Sequence, residues 1–166
     1  MMNLNGFIYR LPKEVKLLIG AFLVVLSVGY FTGLTFVNDT TENHPQGIQE
    51  NYLGNEEDLE AEVMKFKKPE REMLTIVHTH ILSMSVIFFL LGGLVAMAKI
   101  KIGIKKFLLL EPLVSVLVTF GGIYFMWSGL YWMRYVVMIS GILMTTSFVF
   151  SVLLVLFQLI QKTPSQ

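Results

Sequence analysis

Two histidines one residue apart, in Thr75-Ile76-Val77-His78-Thr79-His80-Ile81-Leu82-Ser83-Met84, stand inside a long apolar stretch. Ionisable side chains in such a stretch are costly and tend to mark function. A neutral imidazole beside thioethers suits a soft ion such as Cu(I), or an axial position on haem iron. Residues two apart on an α-helix point about 200° apart, so His78 and His80 cannot both hold one ion from a regular helix. His80 shares its face with Met73 and Met84, whereas His78 lies with Leu74, Thr75 and Ser85. His78, His80 and Met84 are therefore candidate haem or copper ligands, and His80, Met73 and Met84 a candidate metal set. Met126, Met133 and Met138 fall at a similar depth. A bis-histidine haem would need His44 to fold over from a loop; otherwise His80 would pair with Met126 or Met138. The default expectation is that no cofactor is bound: methionine is a common apolar filler, and each histidine can bond a neighbouring helix or a loop carbonyl.

Two further ionisable residues sit near the ends of apolar stretches. Glu111, before Pro112, could be neutral or could pair with Lys99, Lys101, Lys105 or Lys106. Arg134 could snorkel to a lipid phosphate or pair with Glu70 or Glu72. Phosphate-loop, dinucleotide, zinc-hydrolase and serine-hydrolase motifs are missing, which argues against nucleotide-driven and hydrolytic enzymes. With no cysteine, disulfides and thiolate sites are ruled out. A net charge of +1 gives no excess for binding nucleic acid.

The elements that must position these residues follow from hydropathy. Only 15% of the 166 residues are charged, 54% are hydrophobic, and the mean hydropathy is +0.65, too apolar for a water-soluble domain. A hydrocarbon core of about 30 Å needs roughly 20 apolar helical residues to cross it. Four stretches qualify, at about 17–37, 73–98, 107–127 and 135–160. The first follows a basic stretch, but its apolar run is long and no small-residue cleavage site follows, so it reads as an uncleaved anchor. Arg10, Lys13 and Lys16, the four lysines from Lys99 to Lys106, and Lys162 put both termini on the cytoplasmic side by the positive-inside rule. The segment 38–72, with ten acids against four bases, then faces outward. Trp127, Tyr131, Trp132 and Tyr135 supply an aromatic belt at that side.

The expected fold is all-α: one membrane domain over residues 1–166, an antiparallel four-helix bundle with a long, partly helical outer loop. Short connections favour antiparallel packing of the last three spans, while the position of the first is open. Gly29 and Gly33, Gly92 and Gly93, Gly121 and Gly122, and Gly141 mark candidate packing faces. Thr145, Thr146, Ser147 and Ser151 could bond carbonyls or cross a helix seam. In the loop, 38–55 should run as turns, with His44-Pro45 and Gly47 as breakers. Acids at Glu56 to Asp58 and bases at Lys65 to Lys68 predict a short amphipathic helix over 56–68, ended by Pro69, after which Glu70 and Glu72 start the second span. The acids do not have calcium-loop spacing.

The segments Gly47-Ile48-Gln49-Glu50-Asn51-Tyr52-Leu53-Gly54-Asn55-Glu56, Glu62-Val63-Met64-Lys65-Phe66 and Glu72 to His80 resemble a family of small uncharacterised four-helix bacterial inner-membrane proteins, with a G-I-x-E-x-Y-x-G loop and an H-x-H second span. The resemblance covers most of the chain from the loop onward and implies a Gram-negative envelope setting. Members sometimes carry a translation elongation factor label, but this sequence lacks the phosphate loop that such a role requires. The leading expectation is a non-enzymatic inner-membrane accessory subunit or assembly factor. Its outer loop and histidine face would meet a membrane or periplasmic protein, or a second copy of the chain. A haem or copper redox protein is the alternative, and a small transporter using Glu111 and the histidines a further one.

Overall fold

The computed structural model describes residues 4–57, 61 and 63–161. Among them are five α-helices and no strand: α1 (Lys13–Thr41), α2 (Pro45–Leu53), α3 (Glu70–Met97), α4 (Ile102–Trp127) and α5 (Met133–Ile160), preceded by a 3-10 turn at Phe7–Arg10. Helices α1, α3, α4 and α5 are long and apolar enough to cross a membrane. The expected spans lie within them, to within one residue at the end of α3. Lipid offers no partner for backbone groups, and a helix satisfies them internally.

Helices α4 and α5 form the centre. Leu108, Val116, Ile123 and Met126 of α4 pack with Val137, Met144, Phe148, Val152 and Val155 of α5. Gly122 permits this approach, because a Cβ there would stand 2.9 Å from the Val137 side chain. Phe88, Leu91 and Val95 bring α3 into the same core. Pro112 is accommodated inside α4 and buried. The end of α4 meets the start of α3, where the Trp127 indole donates to the Lys68 carbonyl (2.8 Å). The far end of α3 meets the far end of α5, where Gln158 bonds Lys99.

Helix α1 is peripheral. Only 6% of its most apolar window is buried, against 44% for α4. Its contact with α5 runs through Tyr30, which stacks on Phe148 at 3.9 Å and hydrogen-bonds Thr145 at 3.2 Å. Thr145 thus bridges a seam, whereas Thr146 bonds back to the Ile142 carbonyl. Gly29 and Gly33 do not serve packing within the chain: a Cβ at either would meet nothing within 4 Å, and the same holds for Gly93, Gly121 and Gly141. A flat face promotes contact only where a neighbour is set against it, and these five face outward.

The outer segment departs from expectation in two places. Residues 45–53 form helix α2 rather than turns. His44 caps it, its Nδ1 accepting from the Gly47 amide at 2.8 Å, and Pro45 occupies the first turn, where its missing N–H costs nothing. The helix expected at 56–68 is not present in its described residues. Residues 56 and 57 form a turn and 63–69 are non-helical, while 58–60 and 62 lie outside the described residues. The Asn55 side chain instead binds backbone groups of Val63 and Lys65, and Lys68 N–H donates to the Tyr52 carbonyl. The returning segment of the loop thereby lies against the end of α2. Lys65 also reaches the Thr40 carbonyl (3.0 Å), covering an end of α1 that helix geometry leaves unpaired.

Lys105 differs from Lys99, Lys101 and Lys106, which are exposed. It is 7% exposed, and its ammonium donates to the carbonyls of Ala96 (3.0 Å) and Ala98 (2.7 Å) and to Asn5 Oδ1 (2.9 Å). The last carbonyls of α3 lack intrahelical partners and carry the negative end of the helix dipole, so a cation suits this position.

Candidate functional site

Five polar side chains occupy the exposed side of the first half of α3: Thr75, His78, Thr79, His80 and Ser83. They stand among the exposed apolar residues Leu74, Leu82 and Val86. His80 lies ten residues past Glu70, about 15 Å along the helix. That depth is within the apolar run, so these groups face the medium that would surround a membrane bundle.

Thr75 and Ser83 satisfy their hydroxyls on the carbonyls one turn earlier, Arg71 and Thr79. His80 does likewise through Nδ1, 2.7 Å from the Ile76 carbonyl, and its ring stacks on Phe120 of α4 at 4.7 Å. A carbonyl only accepts, so Nδ1 carries a hydrogen in this bond, and in the neutral tautomer that makes it Nε2 is the nitrogen with the lone pair. His78 has no hydrogen bond to a described residue. His80 is thus an oriented imidazole stacked on α4, and His78 a ring without a hydrogen bond to a described residue; both are exposed.

The methionines are differently placed. Met73 and Met126 are fully enclosed, and Met84, Met133 and Met138 are half-buried against the core. Met73 and the outward His80 therefore occupy different surroundings. Among the described residues no three His, Asp or Glu side chains converge as a metal site. His44 is engaged at both ring nitrogens, with Nδ1 on the Gly47 amide and Nε2 3.4 Å from Glu42 Oε2.

The other two candidates sit apart. Among the described residues Glu111 forms no ion pair with a lysine; Ser115 donates to its Oε1, while Oε2 is buried and without a hydrogen-bond partner there. Arg134 pairs with neither Glu70 nor Glu72. It donates to Gln46 (3.0 Å) and Gln49 (2.6 Å) of α2 and lies over the Tyr135 ring, while Glu72 is taken by Lys68. Arg134 therefore ties α2 to α5. The signal for α2 was in the sequence as His44-Pro45, a capping residue followed by a first-turn proline. The Arg134 contacts were not legible, because they need two segments brought together across the loop.

Four long apolar helices define a multi-pass membrane protein. Residues 42–166, more than half of the chain, match the Aq_1264_TM family, a transmembrane helical domain, and the chain belongs to that family. No curated protein matches it. No solved structure matches it either.

Proposed function

We propose that this protein is an accessory subunit or assembly factor of the bacterial inner membrane, which docks a partner protein on the outward histidine face of α3. The observation that carries this reading is the exposure of His78, Thr79 and His80 on a membrane-spanning helix. Polar groups are costly to leave against hydrocarbon, and intramembrane polar residues normally face protein or a water-filled cavity. A neighbouring helix or a second copy would supply the missing bonds. The whole chain is read as one antiparallel bundle. Both termini are cytoplasmic and segment 38–72 periplasmic, a reading supported by the basic ends and the acidic loop. The G-I-x-E-x-Y-x-G loop and the H-x-H span are its motifs.

A photo-crosslinking residue at position 79 tests this in intact membranes. One discrete adduct is expected, absent when the same residue is placed at exposed Ile142 and reduced by His78→Leu with His80→Leu. The adduct's mass tells a second copy from another protein. Absence of any discrete adduct would remove the proposal.

One observation favours a second reading, a haem or copper protein with His80 as ligand and His78 or Met84 assisting. The Nδ1 bond to Ile76 is the outer-shell arrangement that orients a ligating imidazole and leaves Nε2 for the metal. The absorbance spectrum and elemental content of the purified protein decide it: a Soret band or stoichiometric copper, lost in His80→Leu, is the expected result.

A further inference from the structure

The segment that returns from the loop to α3 is non-helical, yet it is bonded along its backbone. The Asn55 amide donates to the Lys65 carbonyl at 3.0 Å, the Asn55 side chain joins Val63 and Lys65, and the Lys68 amide donates to the Tyr52 carbonyl at 3.1 Å. Gly54 lets the two backbones close up: its φ is +83°, and a Cβ there would stand 2.8 Å from the Lys67 nitrogen. On this fixed backbone Val63, Met64 and Phe66 are 66%, 47% and 69% exposed. Three large apolar groups presented together mark an interaction surface.

Height along the bundle identifies what covers it. Trp127 ends α4, and tryptophan rings of membrane proteins settle at the level of the lipid headgroups. The Trp127 indole donates to the Lys68 carbonyl, the Lys67 ammonium stands 5.0 Å from the ring centre, and Phe66 is the adjacent residue. Glu70, where the spanning helix α3 starts, is four residues beyond Phe66, and Leu74 is exposed one turn further. Four residues of extended chain reach about 14 Å at most. The patch therefore adjoins the lipid-facing surface of α3. Leu130, Tyr131 and Trp132, between α4 and α5, are exposed at the same end.

Charge agrees with this placement. Lys67 and Arg71 are exposed and form no ion pair with a described residue, whereas Lys68 is paired with Glu72 and Lys65 reaches the Thr40 carbonyl. Apolar side chains bordered by cations suit the boundary of headgroups and acyl chains, where the cations meet phosphate. We infer that segment 63–71 is an interfacial anchor occupied by phospholipid of the surrounding leaflet. Val63, Met64 and Phe66 rest among headgroups and upper acyl chains, and Lys67 and Arg71 hold phosphates. The anchor fixes the height of α3, and with it the depth of His78 and His80; it does not depend on what meets those histidines.

The test uses the full chain in phosphatidylcholine nanodiscs, with single nitroxide labels that the absence of cysteine permits. Phe66→Cys is compared with Leu74→Cys, exposed on α3, and with Asn43→Cys, exposed between α1 and α2. Collision with oxygen, which enters lipid, is measured against collision with a nickel chelate, which does not. The ratio at position 66 is expected between those of Asn43→Cys and Leu74→Cys, severalfold above the former. Lys67→Glu with Arg71→Glu should shift it toward the Asn43→Cys value, and Lys67→Arg should leave it unchanged. A second measurement needs only the wild-type chain: phosphatidylcholine with a photo-crosslinker in its headgroup should label residues within 63–71. A ratio at position 66 equal to that at position 43 overturns the inference and leaves the patch to a soluble protein. Exclusion of both reagents, a ratio indifferent to the charge reversal, or no lipid adduct within 63–71 overturns it too.

Discussion

Gln158 holds Lys99 by both atoms of its side-chain amide. Oε1 accepts from the Lys99 amide at 2.8 Å and Nε2 donates to the Lys99 carbonyl at 3.0 Å. The residue is 4% exposed and joins the end of α5 to the end of α3 at the point where α3 stops and its backbone groups would otherwise be unpaired. Gln158→Leu leaves both Lys99 groups without partners and should cost about 1–3 kcal/mol. Near-UV circular dichroism melts in mild detergent measure it; an unchanged melting temperature would show that water replaces the amide.

Gly47 stands where α2 crosses the end of α1. A Cβ there would lie 2.0 Å from the Thr41 carbonyl oxygen, a backbone atom that cannot rotate away. Gly47→Ala should therefore displace α2 and lower stability by about 1–3 kcal/mol, as overpacking does. His44→Leu removes the cap of the same helix at a cost of about 1 kcal/mol, and His44→Asn should restore most of it. Proteolytic nicking between α1 and α3 reports both changes; equal nicking of wild type and Gly47→Ala would refute the steric argument.

Burial pushes the Tyr52 phenol above the usual 10.0, partly offset by a hydrogen bond with Asn51. The folded state thus favours the neutral phenol. Its contribution to stability is complete below pH 10, and is lost as pH rises from there through the folded value. A phenolate absorbance titration should show a component at higher pH than the bulk of the tyrosines, and Tyr52→Phe should remove it. An unchanged titration curve in that variant would contradict the burial.

The chain has no cysteine, so single cysteines can report sidedness. In spheroplasts, Asn43→Cys in the acidic segment should react with a membrane-impermeant maleimide. Lys101→Cys, between α3 and α4, should react only after permeabilisation. The reverse pattern would invert the proposed orientation.

The four spans were legible because length and hydropathy are local and lipid leaves the backbone no other option. The start of α3 at Glu70, marked by Pro69 and two acids, was legible for the same reason. The loop was misjudged because two local signals competed. Pro45 and Gly47 looked like breakers, yet Pro45 starts α2 and Gly47 allows its close crossing of α1. The acid-to-base gradient from Glu56 to Lys68 favoured a helix, but Asn55, Lys65 and Lys68 make bonds across the loop that a regular helix there would not provide. The histidines were picked out by type and depth; the bond of His80 Nδ1 along its own helix and its stacking on Phe120 needed the three-dimensional structure. Glu111 and Arg134 were picked out by their type. Their partners, Ser115 for one and Gln46 with Gln49 for the other, required tertiary placement.

Lys105 can reach the Ala96 and Ala98 carbonyls only once α3 and α4 lie side by side. In a nascent chain that has not yet formed this hairpin, its ammonium is one of four cations between the two segments, which under the proposed orientation would hold that connection on the side of synthesis. Folding afterwards withdraws it into the protein and leaves Lys99, Lys101 and Lys106 outside. Under that orientation one side chain would act twice in succession, first during insertion and then in the mature fold, and a neutral replacement would disturb biogenesis and final stability at separate moments.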